Sequence, residues 1–138
     1  MRLKMIGQLD QKVLEVLLET LPVEFSLVDH DDKVLAWNKH ETRIFKRPQG
    51  VIGRDVRNCH PKGSLDKVEQ ILAEMKAGKR DKAEFWIDLT IEGKSEAQKI
   101  LIAYYALRDN AGQYLGCLEV SQNITNIQKI TGQKRLLD

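Results

Sequence analysis

Cysteine is scarce. Only Cys59 and Cys117 occur in the 138 residues, far apart, and they form neither a CxxC pair nor a disulfide framework. A reducing compartment suits such a chain. Long apolar runs are missing too: none approaches the roughly 18 residues of a membrane span. The opening "MRLKMIGQLDQK" lacks the apolar core of a secretory signal. A cytoplasmic protein with no membrane partner is therefore expected. Charge of one sign is not in excess, since 22 basic residues face 20 acidic ones for a net +2. Strong nucleic-acid binding needs a concentrated basic field, so nucleic acid is not an expected partner. The cluster Lys76, Lys79, Arg80, Lys82 reads as a solvated helix end.

The usual marks of catalysis are also wanting. There is no phosphate loop and no carboxylate pair in a defined setting, and Ser64 has no evident histidine and acid partners. His30, His40 and His60 are separated by turns and strands without an HxxxH spacing, so zinc is not expected. Asp29, Asp31 and Asp32 read as turn residues. An enzyme is not expected.

What remains is ordinary for one soluble domain: 42% hydrophobic and 30% charged. A chain of this length buries roughly 68% of its unfolded surface. "LDQKVLEVLLETLP" spaces Leu9, Val13, Val16, Leu17 and Leu21 as one helical stripe, with Asp10 as cap and Pro22 as terminator. Leu14 and Leu18 widen that stripe. "VEFSLVDHDDKVLAW" alternates as a hairpin around a turn-rich "DHDD". "HETRIF" allows one or two helical turns, and "SLDKVEQILAEMKAG" is a clear helix, with Ser64 as its expected N-cap and Gly78 as its C-cap. "KAEFWIDLTIEG" places Ala83, Phe85, Ile87, Leu89 and Ile91 on one face, leaving Trp86 as an apolar island on the other. "KILIAYYAL" is apolar on both faces, as a covered central strand would be. "YLGCLEVSQNIT" is the last strand. The expected fold is α+β: a five-stranded antiparallel sheet, a helical segment on one face, and a flanking N-terminal helix.

That order, with "FSLVDHDDKVLAWNKHETRIF", "VIGRDV" and "GQYLGCLEVSQNIT", resembles a PAS domain. Asn38 stands where such domains often carry asparagine. The segments "VIGRDVRNCHP", "KAEFWI", "ALRDNAGQYLGCLEVSQNIT" and "QKRLLD" are similar, more narrowly, to the C-terminal PAS region of a bacterial and archaeal family. Its members often carry an upstream hemerythrin-like metal-binding region. Here Lys62-Gly63 replaces the more usual proline and lysine after "CHP". The expected division is a flanking helix over 1–21, a PAS domain over 22–125, and an exit helix or linker over 126–138.

The resemblance implies a cavity between sheet and helical segment. Its expected sheet side is Phe25, Leu27, Phe85, Ile87, Ile102 and Tyr104; its helical side is Ile44, Val56, Leu65, Val68 and Leu72. The competing expectation is that these residues fill a close-packed core. His60 is the candidate axial metal ligand for haem, because haem-binding PAS domains hold iron from this side. Alternatively its ring bonds backbone at a helix entrance. Cys59 is a second cofactor or redox candidate, with Arg57 near enough to lower its pKa, against an inert buried thiol. Flavin is less favoured, since Cys59 lies farther from Gly53 than light-sensing relatives place their cysteine. Trp86, Leu14 and Leu18 are candidate homodimer contacts; otherwise Trp86 caps its own sheet. The expected function is a sensory module relaying ligand occupancy through terminal helices, against a cofactor-free dimerisation module.

Overall fold

Asp10 opens the first helix, α1 (Gln11–Thr20), by accepting a 2.8 Å hydrogen bond from the Val13 N–H. The helix stops at Leu21, before Pro22. The structure, a computed structural model, describes residues 7–56 and 62–137, with only the backbone described for 62–65. After α1 come β1 (Glu24–Asp29) and β2 (Val34–Trp37), then a 3-10 turn at Gln49–Val51. Helix α2 (Lys62–Lys76) precedes β3 (Lys82–Leu89), β4 (Gln98–Arg108) and β5 (Tyr114–Asn123). A last 3-10 turn, Ile127–Lys129, starts an exposed C-terminal segment.

Local chemistry explains the boundaries. In the first hairpin the Asp29 carboxylate accepts from the N–H groups of Asp31 and Lys33, both at 2.9 Å. This side-chain turn lets Asp32 take a positive φ of 64°. Gly78, at φ 74°, turns the chain out of α2 as expected, and the Lys79 N–H bonds the Glu74 carbonyl at 2.9 Å. Ser64 lies inside the first turn of α2, because the helix already begins at Lys62, so it is not the N-cap. "HETRIF" forms turns and bends rather than helix.

The five strands make one sheet in the order β2-β1-β5-β4-β3, every neighbouring pair antiparallel. Strand β4 is internal, as its two apolar faces predict. The α+β architecture matches the expectation. Val68, Leu72 and Met75 of α2 are buried with Val56 of the preceding segment and with Val28, Val34, Ile100, Ile102, Tyr104 and Cys117 of the inner sheet side.

Two expectations about faces are corrected. In β1 the buried residues are Glu24, Ser26 and Val28, so Phe25 and Leu27 point to the other side of the sheet. Period-2 alternation defines two faces but not which one is inside. Here the outer face is itself apolar, pairing Phe25 with Val120 and Leu27 with Leu118. In α1 it is Leu14 and Leu18 that are half-buried, while Val13, Val16 and Leu17 are exposed. The helix is anchored by polar ties rather than by its widest apolar stripe. Asn38 Nδ2 donates to the Leu18 carbonyl at 2.7 Å, and the Lys39 N–H donates to the Glu19 carboxylate at 2.8 Å.

Candidate functional site

The inner sheet face has two halves of different chemistry. One is dry: Val28 lies opposite Cys117, which lies opposite Ala106, and α2 packs over them. Burial pushes the Cys117 thiol up to about 12, which keeps it protonated and unreactive at neutral pH. The other half is polar. Cross-strand register aligns Glu24 with Ser121 and Ile102, and Ser26 with Glu119 and Tyr104. Each of these six is buried.

The segment after β2 lays two arginines over that polar half. Arg43 forms an ion pair with Glu24, Nη2 to Oε2 at 3.3 Å, with side chains only 2% and 4% exposed. Arg43 also donates to the carbonyls of Phe45 (2.9 Å), Phe25 (3.1 Å) and Asn38 (2.9 Å), and to Ser26 Oγ (3.1 Å). Glu24 in turn accepts from the Ile44 and Phe45 N–H groups at 2.5 and 3.1 Å. Burial lowers the Arg43 pKa, and Glu24 opposes that shift. This network is closed, with donors and acceptors matched, and it fixes the course of residues 43–45.

Arg47 and Glu119 form the second pair, Nη2 to Oε2 at 3.2 Å, with side chains 8% and 10% exposed. This pair is not closed. Among the described residues, Arg47 Nε is buried without a hydrogen-bond partner. Tyr104 stands close enough for Glu119 to raise its pKa, together with burial, which is the larger cause. Its ring stacks on Phe85 with centroids 5.7 Å apart.

The residues expected around a cavity are partly united. Val56, Val68, Leu72, Ile102 and Tyr104 share one buried cluster, with Ile44 at its margin. Phe85 and Ile87 lie in register with Ile102 and Ile100 but are partly exposed on the edge strand. Phe25 and Leu27 are on the far face, as described above. The Leu65 side chain, Cys59 and His60 lie outside the described residues. No group of three or more metal-capable side chains occurs among the described residues. His30 is exposed, and His40 accepts from Trp37 Nε1 at 3.0 Å at the surface. Trp86 is 63% exposed on the outer face, opposite Leu101.

Sequence reading passed over Glu24, Arg43, Arg47, Glu119 and Ser121. Charged residues are normally solvated, so each looked like surface. One signal was present: two strands, β1 and β5, each alternate apolar residues with a Glu/Ser pair, and antiparallel pairing puts those pairs side by side.

A five-stranded antiparallel sheet in the order β2-β1-β5-β4-β3 with a helix packed on its inner face is a sheet-and-helix α+β module. The model of the PAS domain matches residues 14–125. The chain belongs to the PAS domain family. A crystal structure of a C-terminal domain from Streptococcus mutans is 29% identical, covering 94% of this chain and 96% of that one at a TM-score of 0.80. The PAS domain of Bordetella pertussis BvgS is 16% identical, covering 86% and 88% at a TM-score of 0.60. A Vibrio cholerae VqmA dimer is also 16% identical, covering 86% of this chain and 54% of that chain at a TM-score of 0.59. No curated protein matches the chain. PAS domains are in general sensory modules rather than enzymes. No helix among the described residues is long and apolar enough to cross a membrane.

Proposed function

We propose that this PAS domain is a sensory module that encloses a small polar molecule against the inner sheet face and relays its presence through the terminal segments of a homodimer. The carrying observation is the buried Arg47–Glu119 pair with its unsatisfied Nε. A domain built only for stability gains little from buried ion pairs, since apolar residues of similar volume serve as well or better. The motifs around "CHP" and "LRDNAGQYLGCLEVSQNIT" support grouping the chain with PAS regions that follow a hemerythrin-like segment. Its sparse cysteines, with Cys117 free, suit a reducing cytoplasm.

The relay has a continuous polar route. Arg43 Nη1 bonds the Asn38 carbonyl at 2.9 Å, and Asn38 Nδ2 bonds the Leu18 carbonyl of α1 at 2.7 Å. Occupancy shifts this route only if the molecule binds one packing of the segment 39–56 better than another. Val13, Val16 and Leu17 supply the dimer surface on α1, where with Leu21 and Pro22 they line an open groove of about 580 Å³. Leu14 and Leu18 lie beside it on α1, and Trp86, exposed on the outer face of β3, is a separate candidate contact.

Haem is the second reading, and it depends on His60. The described inner face offers paired charges and hydroxyls, which suit a small polar ligand. Flavin has still less support. Native mass spectrometry of the freshly purified chain, with its absorption spectrum, tests the proposal. A bound small molecule released on denaturation, and no Soret band, is the expected result. A Soret band that His60→Ala abolishes would replace this reading with haem sensing. A ligand-free chain that gains no stability from any small molecule would leave only the dimerisation module.

A further inference from the structure

The two buried arginines differ in one respect. Arg43 has every direction of its guanidinium engaged, by three carbonyls, one hydroxyl and Glu24. Arg47 touches Glu119 through Nη2 and, among the described residues, leaves Nε buried and unpaired. Its side chain is only 8% exposed, so bulk water does not solvate that N–H. An unsatisfied buried donor is costly, and folded proteins rarely leave one without a partner. A donor held in place by an ion pair is already oriented for a ligand atom.

The charge balance limits what that atom can be. Arg43 and Arg47 are matched one for one by Glu24 and Glu119. Among the described residues, a carboxylate or phosphate entering here would be a buried charge with no counter-charge left for it. A neutral acceptor satisfies Nε without that penalty.

We infer that Arg47 Nε is the recognition donor of the sensory site, and that its ligand is a small uncharged molecule presenting a carbonyl-type acceptor. The inference rests on the sensory reading above and deepens it. Arg47 selects through one directed hydrogen bond, while Glu119 holds the guanidinium in place.

The test uses the full 15N-labelled chain and two probes of similar size: 2-pyrrolidinone, a neutral lactam, and acetate, its anionic counterpart. The Nε–Hε cross-peak of Arg47 reports on the donor itself. Saturable movement of that peak with 2-pyrrolidinone, and little with acetate, is expected. In Arg47→Lys, which keeps the charge facing Glu119 but lacks Nε, the Glu119 and Ser121 amides should respond to 2-pyrrolidinone about tenfold more weakly. Movement with acetate alone overturns the neutral-ligand assignment. Response of the Glu119 and Ser121 amides without the Nε peak overturns the role of Arg47 and leaves the sensory reading standing. Silence with both probes means a buried water already satisfies Nε, which also overturns the inference. The sensory reading is judged separately, by whether a molecule co-purifies with the unaltered chain.

Discussion

Asn38 reaches from the end of β2 to the Leu18 carbonyl near the end of α1, Nδ2 to O at 2.7 Å. The same side chain accepts from the Phe25 N–H at 2.7 Å and donates to the Val23 carbonyl at 3.1 Å. One buried amide thus ties the flanking helix to the first strand, so its loss should loosen α1 before it unfolds the sheet. Asn38→Ala leaves three backbone groups short of a partner. It should destabilise the chain by about 2–4 kcal/mol, read as a lower urea midpoint. Hydrogen exchange should quicken first at Leu18 and Leu21.

The closed network around Arg43 predicts that size and charge alone do not substitute for geometry. Arg43→Lys keeps the charge but cannot span three carbonyls, Ser26 Oγ and Glu24 together. A loss of about 2–4 kcal/mol is expected, because buried carbonyl and hydroxyl acceptors lose their donors. A change under 1 kcal/mol by urea denaturation would show the network to be dispensable.

Gly116 lies opposite Asp29, with β5 close against β1. A Cβ at this position would stand 2.2 Å from the Val28 carbonyl oxygen, a backbone atom that cannot swing away. Gly116→Ala should therefore cost about 1–3 kcal/mol through forced separation of the two strands. Melting should drop accordingly, whereas Gly50→Ala, whose Cβ would meet nothing within 4 Å, leaves it unchanged.

Cys117 makes the fold sensitive to alkali. In the unfolded chain the thiol ionises near pH 9, while burial holds it protonated up to about 12 in the folded one. The native state then binds more protons than the unfolded state above pH 9, so stability is intact below that pH and falls as pH rises towards 12. Burial also raises Tyr104 and Tyr114, which act in the same direction at higher pH. The unfolding free energy from urea titrations should fall by about 1.4 kcal/mol per pH unit from pH 9 to 10, and more steeply above. In a Cys59→Ser background, a thiol reagent at pH 8 should label Cys117 only after denaturation.

Val16 is 61% exposed on α1, beside exposed Val13 and Leu17. Under the homodimer proposal, Val16→Glu places a charge in the contact and should turn a dimer into a monomer by light scattering without lowering the melting temperature of the sheet. A wild-type chain that is monomeric at high concentration would remove the dimer relay and leave the ligand site untouched.

Much of the fold was legible because the periodicities are local. The helical spacing of α2, the "DHDD" turn, Gly78 and the doubly apolar β4 each carry their structure in a few adjacent residues. The spaced motifs then pointed to the PAS arrangement. The site was far less legible. "HETRIF" offers a helical pattern, yet Arg43 is drawn into the sheet by Glu24, Ser26 and three carbonyls, contacts that outweigh local propensity.

The sequence by itself determined the order of the main elements, the Asp10 and Gly78 caps, the hairpin turn, and the two alternating faces of each strand. Only the tertiary structure decided which face of β1 is inside, which side of α1 is covered, and that four charges lie buried in pairs. The physical reason is common to all three. Alternation and charge are properties of a segment, but burial and ion pairing depend on partners up to 72 residues away, as Arg47 and Glu119 are.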